Sequence, residues 1–192
     1  LGGKTFPVLD DERGREMAER ILKAREALDS VGGVTQTAVC GVPGGVGEPW
    51  FDSVEGLLSH ALFSLGGVKG IEFGLGFGFA DRRGSECNDA MRIEGGSPVT
   101  VTNNNGGITN GMPILFQCAV KPTPSIAREQ QTVDFIKNEN TPINIKGRHD
   151  PAIIRRICPV IDSVTAIVLC DLLAQRFGTD SLVKGVPSCF TD

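Results

Sequence analysis

Two histidines and no Cys-x-x-Cys pair leave this 192-residue chain without the ligand spacing of a zinc site. The six cysteines, at positions 40, 87, 118, 158, 170 and 189, are scattered, and no hydrophobic secretory segment opens the chain. They read as free thiols in a reducing cytosol. The absence of a Gly-x-Ser-x-Gly elbow argues against a serine hydrolase. Uninterrupted apolar runs are short, such as Ala166–Cys170, well below the roughly 20 residues that span a bilayer, so a soluble protein with no membrane segment is expected. Positive charge is not in excess either. With 19 Lys+Arg against 23 Asp+Glu the formal net charge is −4, which argues against a nucleic-acid partner and confines any anion site to a local patch.

Glycine is abundant. There are 25, well above an average usage of roughly 7%, and they show no every-third-residue period, so a collagen-like chain is excluded. A hydrophobic share of 40% excludes disorder and suits one domain over residues 1–192. The chain opens at Leu1 without methionine, and its start is expected to be cut from something longer.

Met17, Ile21, Ala24 and Leu28 recur at helical spacing between Asp10 and Ser30, with Asp10 or Asp11 as cap. Val34 to Cys40 reads as a strand that ends in a glycine-rich loop. Asp52 and Glu55 have capping-box spacing ahead of a second helix that Gly66-Gly67 closes. From Ile71 to Ala80, large apolar residues alternate with glycine, which predicts a strand with one bare face for close packing. Glycines alternating inside a strand are not the strand-to-helix turn of a dinucleotide loop. Ser97–Thr102, Met112–Val120 and Pro142–Lys146 are further strand candidates, with a tight Asn/Gly loop over 103–111. A last helix is expected from about Pro159 to Phe177, with Pro159 at its first turn. Strand groups and helices alternate without a βαβ rhythm, which favours an α+β fold with sheets covered by helices.

Two segments concentrate groups that suit an anion. Lys121-Pro122-Thr123-Pro124-Ser125 holds a cation and two hydroxyls on a backbone stiffened by two prolines. Lys146-Gly147-Arg148-His149-Asp150-Pro151, followed by Arg155 and Arg156, reverses the sign of the chain's charge; a solvated turn is the alternative. Of the histidines, His60 lies in the second helix and reads as packing or surface, and His149 is the better candidate for chemistry. Trp50 reads as a packing anchor.

In chain order, Gly106-Gly107-Ile108-Thr109-Asn110-Gly111-Met112-Pro113-Ile114, Val120 to Ile126, and Lys146 to Pro151 resemble chorismate synthase. Gly84 to Ala90 and Val68–Gly78 are similar to that family too, so nearly the whole chain is covered. The resemblance implies a β-α-β sandwich of antiparallel four-stranded sheets covered by helices, a cytoplasmic homotetramer, and the last step of the shikimate pathway. In that step 5-enolpyruvylshikimate 3-phosphate loses phosphate and a hydrogen by trans-1,4-elimination, with reduced FMN required although no net redox change occurs. By the same resemblance the flavin contacts fall on Gly66, Gly67, Gly106, Lys121, Pro122, Thr123, Pro124, Ser125 and Arg148. Asp150 matches the catalytic aspartate, a base relay near flavin N5. At Gly66-Gly67 many relatives carry Asn-Ala, which removes a possible side-chain contact.

Family members are about twice this long, and the N-terminal portion that carries Ser-His-Gly and the catalytic histidines has no counterpart here. Neither His60 nor His149 lies in the motifs that carry those catalytic histidines. The expectation is therefore a C-terminal core portion of a chorismate synthase that does not make chorismate alone. The other readings are a non-catalytic structural or oligomerisation module and a different FMN-binding oxidoreductase. The last lacks a nicotinamide fingerprint and a redox cysteine pair.

Overall fold

The computed structural model describes residues 7–102 and 106–180. Asn103–Asn105 of the expected Asn/Gly loop, and Cys189, lie outside the described residues. The chain divides into two compact units, one of residues 1–34 and 120–158, the other of 35–119 and 159–192. Helices and antiparallel strands are mixed, as the composition and resemblance lead one to expect.

In the first unit, α1 (Asp11–Glu26) starts where the Asp10 carboxylate accepts from Glu12 N and Arg13 N at 2.8 and 3.2 Å. A cap of this kind satisfies N–H groups that have no partner inside the helix. Strands β6 (Gln130–Asp134) and β7 (Glu139–Ile143) pair antiparallel as a ribbon, with Thr132 opposite Thr141. The expected short strand thus lies a few residues earlier than 142–146. Its polar partner strand gives little apolar alternation to read.

The second unit holds the sheet and its core. Strands β1 (Gly33–Val39), β2 (Val68–Phe73) and β5 (Ile114–Val120) form a three-stranded sheet in the order β1-β5-β2. The resemblance implies four strands; the described residues give three, plus the ribbons β6-β7 and β3 (Met91–Glu94) with β4 (Ser97–Thr100). In β5, Ile114, Phe116, Cys118 and Val120 alternate inward. Phe116, Leu58, Leu62, Ile161, Val46 and Val68 are the largest fully buried side chains of the unit, and the Phe116 ring lies 5.7 Å from that of Phe73.

Helix α2 (Val54–Phe63) is capped by Ser53, whose Oγ accepts from Gly56 N at 3.0 Å. This corrects the expected Asp52/Glu55 capping box: Asp52 is already held in a 3-10 turn over Trp50–Asp52. Trp50, expected as a packing anchor, is 84% exposed.

The strand expected to run to Ala80 stops at Phe73. Gly74 and Gly76 take φ of 56° and 54°, and a 3-10 helix occupies Gly76–Asp81. Gly74 and Gly76 serve left-handed backbone here rather than a bare sheet face. A short helix α3 (Gly84–Cys87) follows.

Helix α4 (Ile154–Phe177) starts five residues before the expected Pro159, which lies inside it. By length and composition it is also long and apolar enough to cross a bilayer, a test that the core helix of a soluble protein passes as well. Asp162, Ser163, Thr165 and Asp171 interrupt the runs without lowering the average enough. Its buried residues Ile157, Ile161, Thr165, Leu169 and Leu172 follow a spacing of three to four, the pattern of a helix packed along one face.

Candidate functional site

Lys121–Ser125, Arg148 and Asp150 all fall in the first unit; Gly66, Gly67 and Gly106 fall in the second. Each group is described by itself.

The 121–125 segment leaves β5 with two prolines, which cannot donate to a neighbouring strand, and it is held instead by side chains. Ser30 Oγ donates to Thr123 O at 2.6 Å, and Gln130 Nε2 donates to Pro124 O at 3.3 Å. His149 reaches the same segment: Nδ1 lies 3.0 Å from Ser125 O and 3.2 Å from Ser125 Oγ, while Nε2 lies 2.8 Å from Ile145 O. The two motifs singled out in the sequence are therefore joined directly. Lys121 and Arg148 are exposed, with their charges available to solvent or a ligand.

Asp150 Oδ1 accepts from Ala152 N at 3.2 Å, a local turn that orients the carboxylate. Its buried Oδ2 is ion-paired with Arg156 Nη1 at 2.9 Å. Thr123 Oγ1, by contrast, is buried with no hydrogen-bond partner. An unpaired buried polar atom is costly, and the Thr123 hydroxyl fits a bound group that supplies the missing partner. A flavin offers such partners in its ring oxygens, ring nitrogens and phosphate. Residues able to hold it here are Lys121, Thr123, Ser125 and Arg148.

In the second unit, Gly66 and Gly106 have nothing within 4 Å of where a Cβ would stand, so their backbone faces open space. Gly107 differs sharply: it has φ of +84°, and a Cβ there would collide with Ser53 Cβ. Gly107 O accepts from Val54 N at 2.8 Å, and buried Thr109 ties the loop down by accepting from Val46 N at 2.9 Å and donating to Pro43 O at 2.6 Å. Beside this loop lies a small cleft lined by Val54, Glu55, Phe73, Gly107, Thr109 and Ile114. Burial pushes the Glu55 carboxyl up from its ordinary value. Burial also pushes up the Cys118 thiol, opposed by a bond with Thr35, which suits an inert core cysteine. Cys40, Cys118 and Cys170 are free thiols. No cluster of three or more metal-ligating side chains occurs among the described residues.

His60 is exposed on α2, away from the buried Leu58 and Leu62. Sequence reasoning missed Ser30 and Gln130 as supports of the 121–125 segment. Ser30 stands 93 residues from its partner, and no local pattern signals such a bond.

The family model for chorismate synthase matches residues 2–174. The chorismate synthase of Thermococcus kodakarensis is 42% identical over 183 residues, 93% of this chain and 52% of that protein. That of Methanosarcina acetivorans is 48% identical over 167 residues, 84% of this chain and 46% of that protein. A crystal structure of chorismate synthase superposes with a TM-score of 0.69 at 30% identity, over 88% of this chain and 45% of that one. The chain thus spans about half the length of the curated relatives it matches. Matched over nine-tenths of its length in sequence, and in fold as well, the chain belongs to the chorismate synthase family.

Proposed function

We propose that this chain carries the flavin-holding segments and the catalytic aspartate of a chorismate synthase. It serves the trans-1,4-elimination of phosphate from 5-enolpyruvylshikimate 3-phosphate to give chorismate. The observation that carries the reading is the buried hydroxyl of Thr123, without a hydrogen-bond partner, on a segment that His149 joins to the stretch of Arg148 and Asp150.

Reduced FMN, held by these segments, would supply the transient electron that cleavage of the C–O bond to phosphate needs, with no net oxidation. The chain's own residues hold and orient. Lys121 and Arg148 neutralise negative charge, and Thr123 and Ser125 donate short hydrogen bonds to phosphate or ring oxygens. Gly66, Gly67 and Gly106 present backbone without a Cβ, which lets a flat ring approach closely. Asp150, steadied by Ala152 N and Arg156, takes or relays the departing proton through Oδ2. The remaining substrate contacts and the histidine acids come from the part of the family's length that this chain does not match. On this reading the working enzyme is a cytoplasmic homo-oligomer, a tetramer as in the family, and the 192-residue chain alone binds flavin weakly and makes no chorismate.

The test incubates the purified chain anaerobically with reduced FMN and 5-enolpyruvylshikimate 3-phosphate, alone and with the unmatched part of the Methanosarcina acetivorans relative. Chorismate is read by its absorbance. Product is expected from the combination only, and Asp150→Asn should lower its rate at least about 100-fold, the usual contribution of a positioned general base. Turnover by the chain alone refutes the claim of inactivity. An assembled combination that makes no chorismate, or an unimpaired Asp150→Asn, refutes the role given to this half.

A further inference from the structure

Three consecutive carbonyls, of Thr123, Pro124 and Ser125, are each met by a side chain from a different stretch: Ser30, Gln130 and His149. Of these three side chains, His149 has a second bond that matters to the site. Its Nε2 lies 2.8 Å from Ile145 O, on the stretch that leads to Arg148 and Asp150. Carbonyl oxygens only accept, so each ring nitrogen that faces one must bear a proton to bond it.

A neutral ring protonated at Nε2 bonds Ile145 O alone. Its Nδ1 then accepts from the Ser125 hydroxyl, 3.2 Å away, and meets Ser125 O lone pair to lone pair at 3.0 Å. A ring protonated at both nitrogens donates to both carbonyls, and the Ser125 hydroxyl proton is released from it. That hydroxyl is exposed, in reach of a ligand. The charged groups on the segments that bear these partners are Lys121, Lys146, Arg148 and the Asp150–Arg156 pair.

We propose that His149 is a positioning residue: by bridging the carbonyls of Ser125 and Ile145 it sets the 121–125 segment against the loop of Arg148 and Asp150, and its Nδ1 proton turns the Ser125 hydroxyl outward to an anionic ligand. The anion is the phosphate of the flavin, so this part of the inference rests on the reading above. The bridge itself does not.

The chain has two histidines, and exposed His60 serves as internal reference in ¹⁵N NMR of the ring nitrogens. Without any ligand, Ser125→Ala should move the amide signals of residues 123–126 together with the His149 ring signals. Ser125→Ala should shift the Nδ1 signal and leave His60 unchanged. His149 ring signals that match those of exposed His60 and do not respond to Ser125→Ala overturn the proposal.

Flavin fluorescence then compares FMN with riboflavin, which lacks the phosphate. His149→Ala should weaken FMN at least about tenfold, the scale of one charge-assisted hydrogen bond, with riboflavin little affected and His149→Gln intermediate. Equal weakening of both overturns the part that concerns the anion. A wild-type chain that binds neither, at any concentration tested, sinks the flavin reading, and the ring measurement still decides the bridge.

Discussion

In the unit of residues 35–119 and 159–192, Leu58, Leu62, Val68, Phe116 and Ile161 are fully buried around β5 and α2. In the unit of residues 1–34 and 120–158, the apolar residues buried among those described are Val120, Ala152 and Ile157, and its two functional segments are held by side chain to backbone bonds. The first arrangement fixes position by filling volume. The second fixes orientation while leaving polar atoms unspent, which is what a binding segment requires. Substitutions should therefore cost stability in the larger unit and binding in the smaller one.

The largest expected contrast separates two adjacent glycines. Gly107→Ala forces a side chain into left-handed backbone and into Ser53, and should destabilise the chain by about 3 kcal/mol in urea unfolding. Gly106→Ala meets open space at an ordinary φ, so its effect on stability should stay within about 0.5 kcal/mol. Its effect should appear in flavin binding instead. Equal loss of stability in both variants breaks the comparison.

A second contrast pairs two threonines. Thr109→Val keeps the shape but removes the hydroxyl that serves Val46 N and Pro43 O, at a cost of about 2 kcal/mol for a buried donor left unmet. Thr123→Val removes a hydroxyl with no partner in the chain, so stability should hold or rise slightly while FMN affinity falls. Differential unfolding and flavin titration on the same two proteins give both readouts. A Thr123→Val chain that loses stability as Thr109→Val does shows that the hydroxyl serves the fold.

How much of this was legible in the sequence follows from the same distinction. Helix α1, the inward alternation of β5 and most of α4 are written in apolar spacing, and they read out nearly in place. Ribbon β6-β7 is not, because Gln130–Asp134 and Glu139–Ile143 bury little and so carry no strong period. Pro159 misled because proline favours a helix's first turn, whereas here the helix runs through it. The glycines of 74–78 read as a strand since alternation is visible and φ is not. The motifs of the site were legible as a family pattern. The bridge between them was not, since His149 bonds the carbonyls of Ser125 and Ile145, and every residue type has a carbonyl.

The smallest effect probes the one ionisable group in the cleft beside Gly107. Glu55 stands in the first turn of α2, where the helix N-terminus favours a carboxylate, yet burial raises its carboxyl above the ordinary value. A raised folded-state value means that the folded chain holds the proton more tightly than the unfolded one. The contribution to stability is then full below the unfolded carboxyl range, near pH 4, and is lost as pH rises through the folded value. Glu55→Gln has no such loss, so it should match the wild type in acid and exceed it modestly at neutral pH. Unfolding free energies of both proteins across that range check the sign. If the wild type gains on Glu55→Gln as pH rises, the helix terminus outweighs burial, and the cleft is wetter than its lining of Val54, Phe73 and Ile114 indicates.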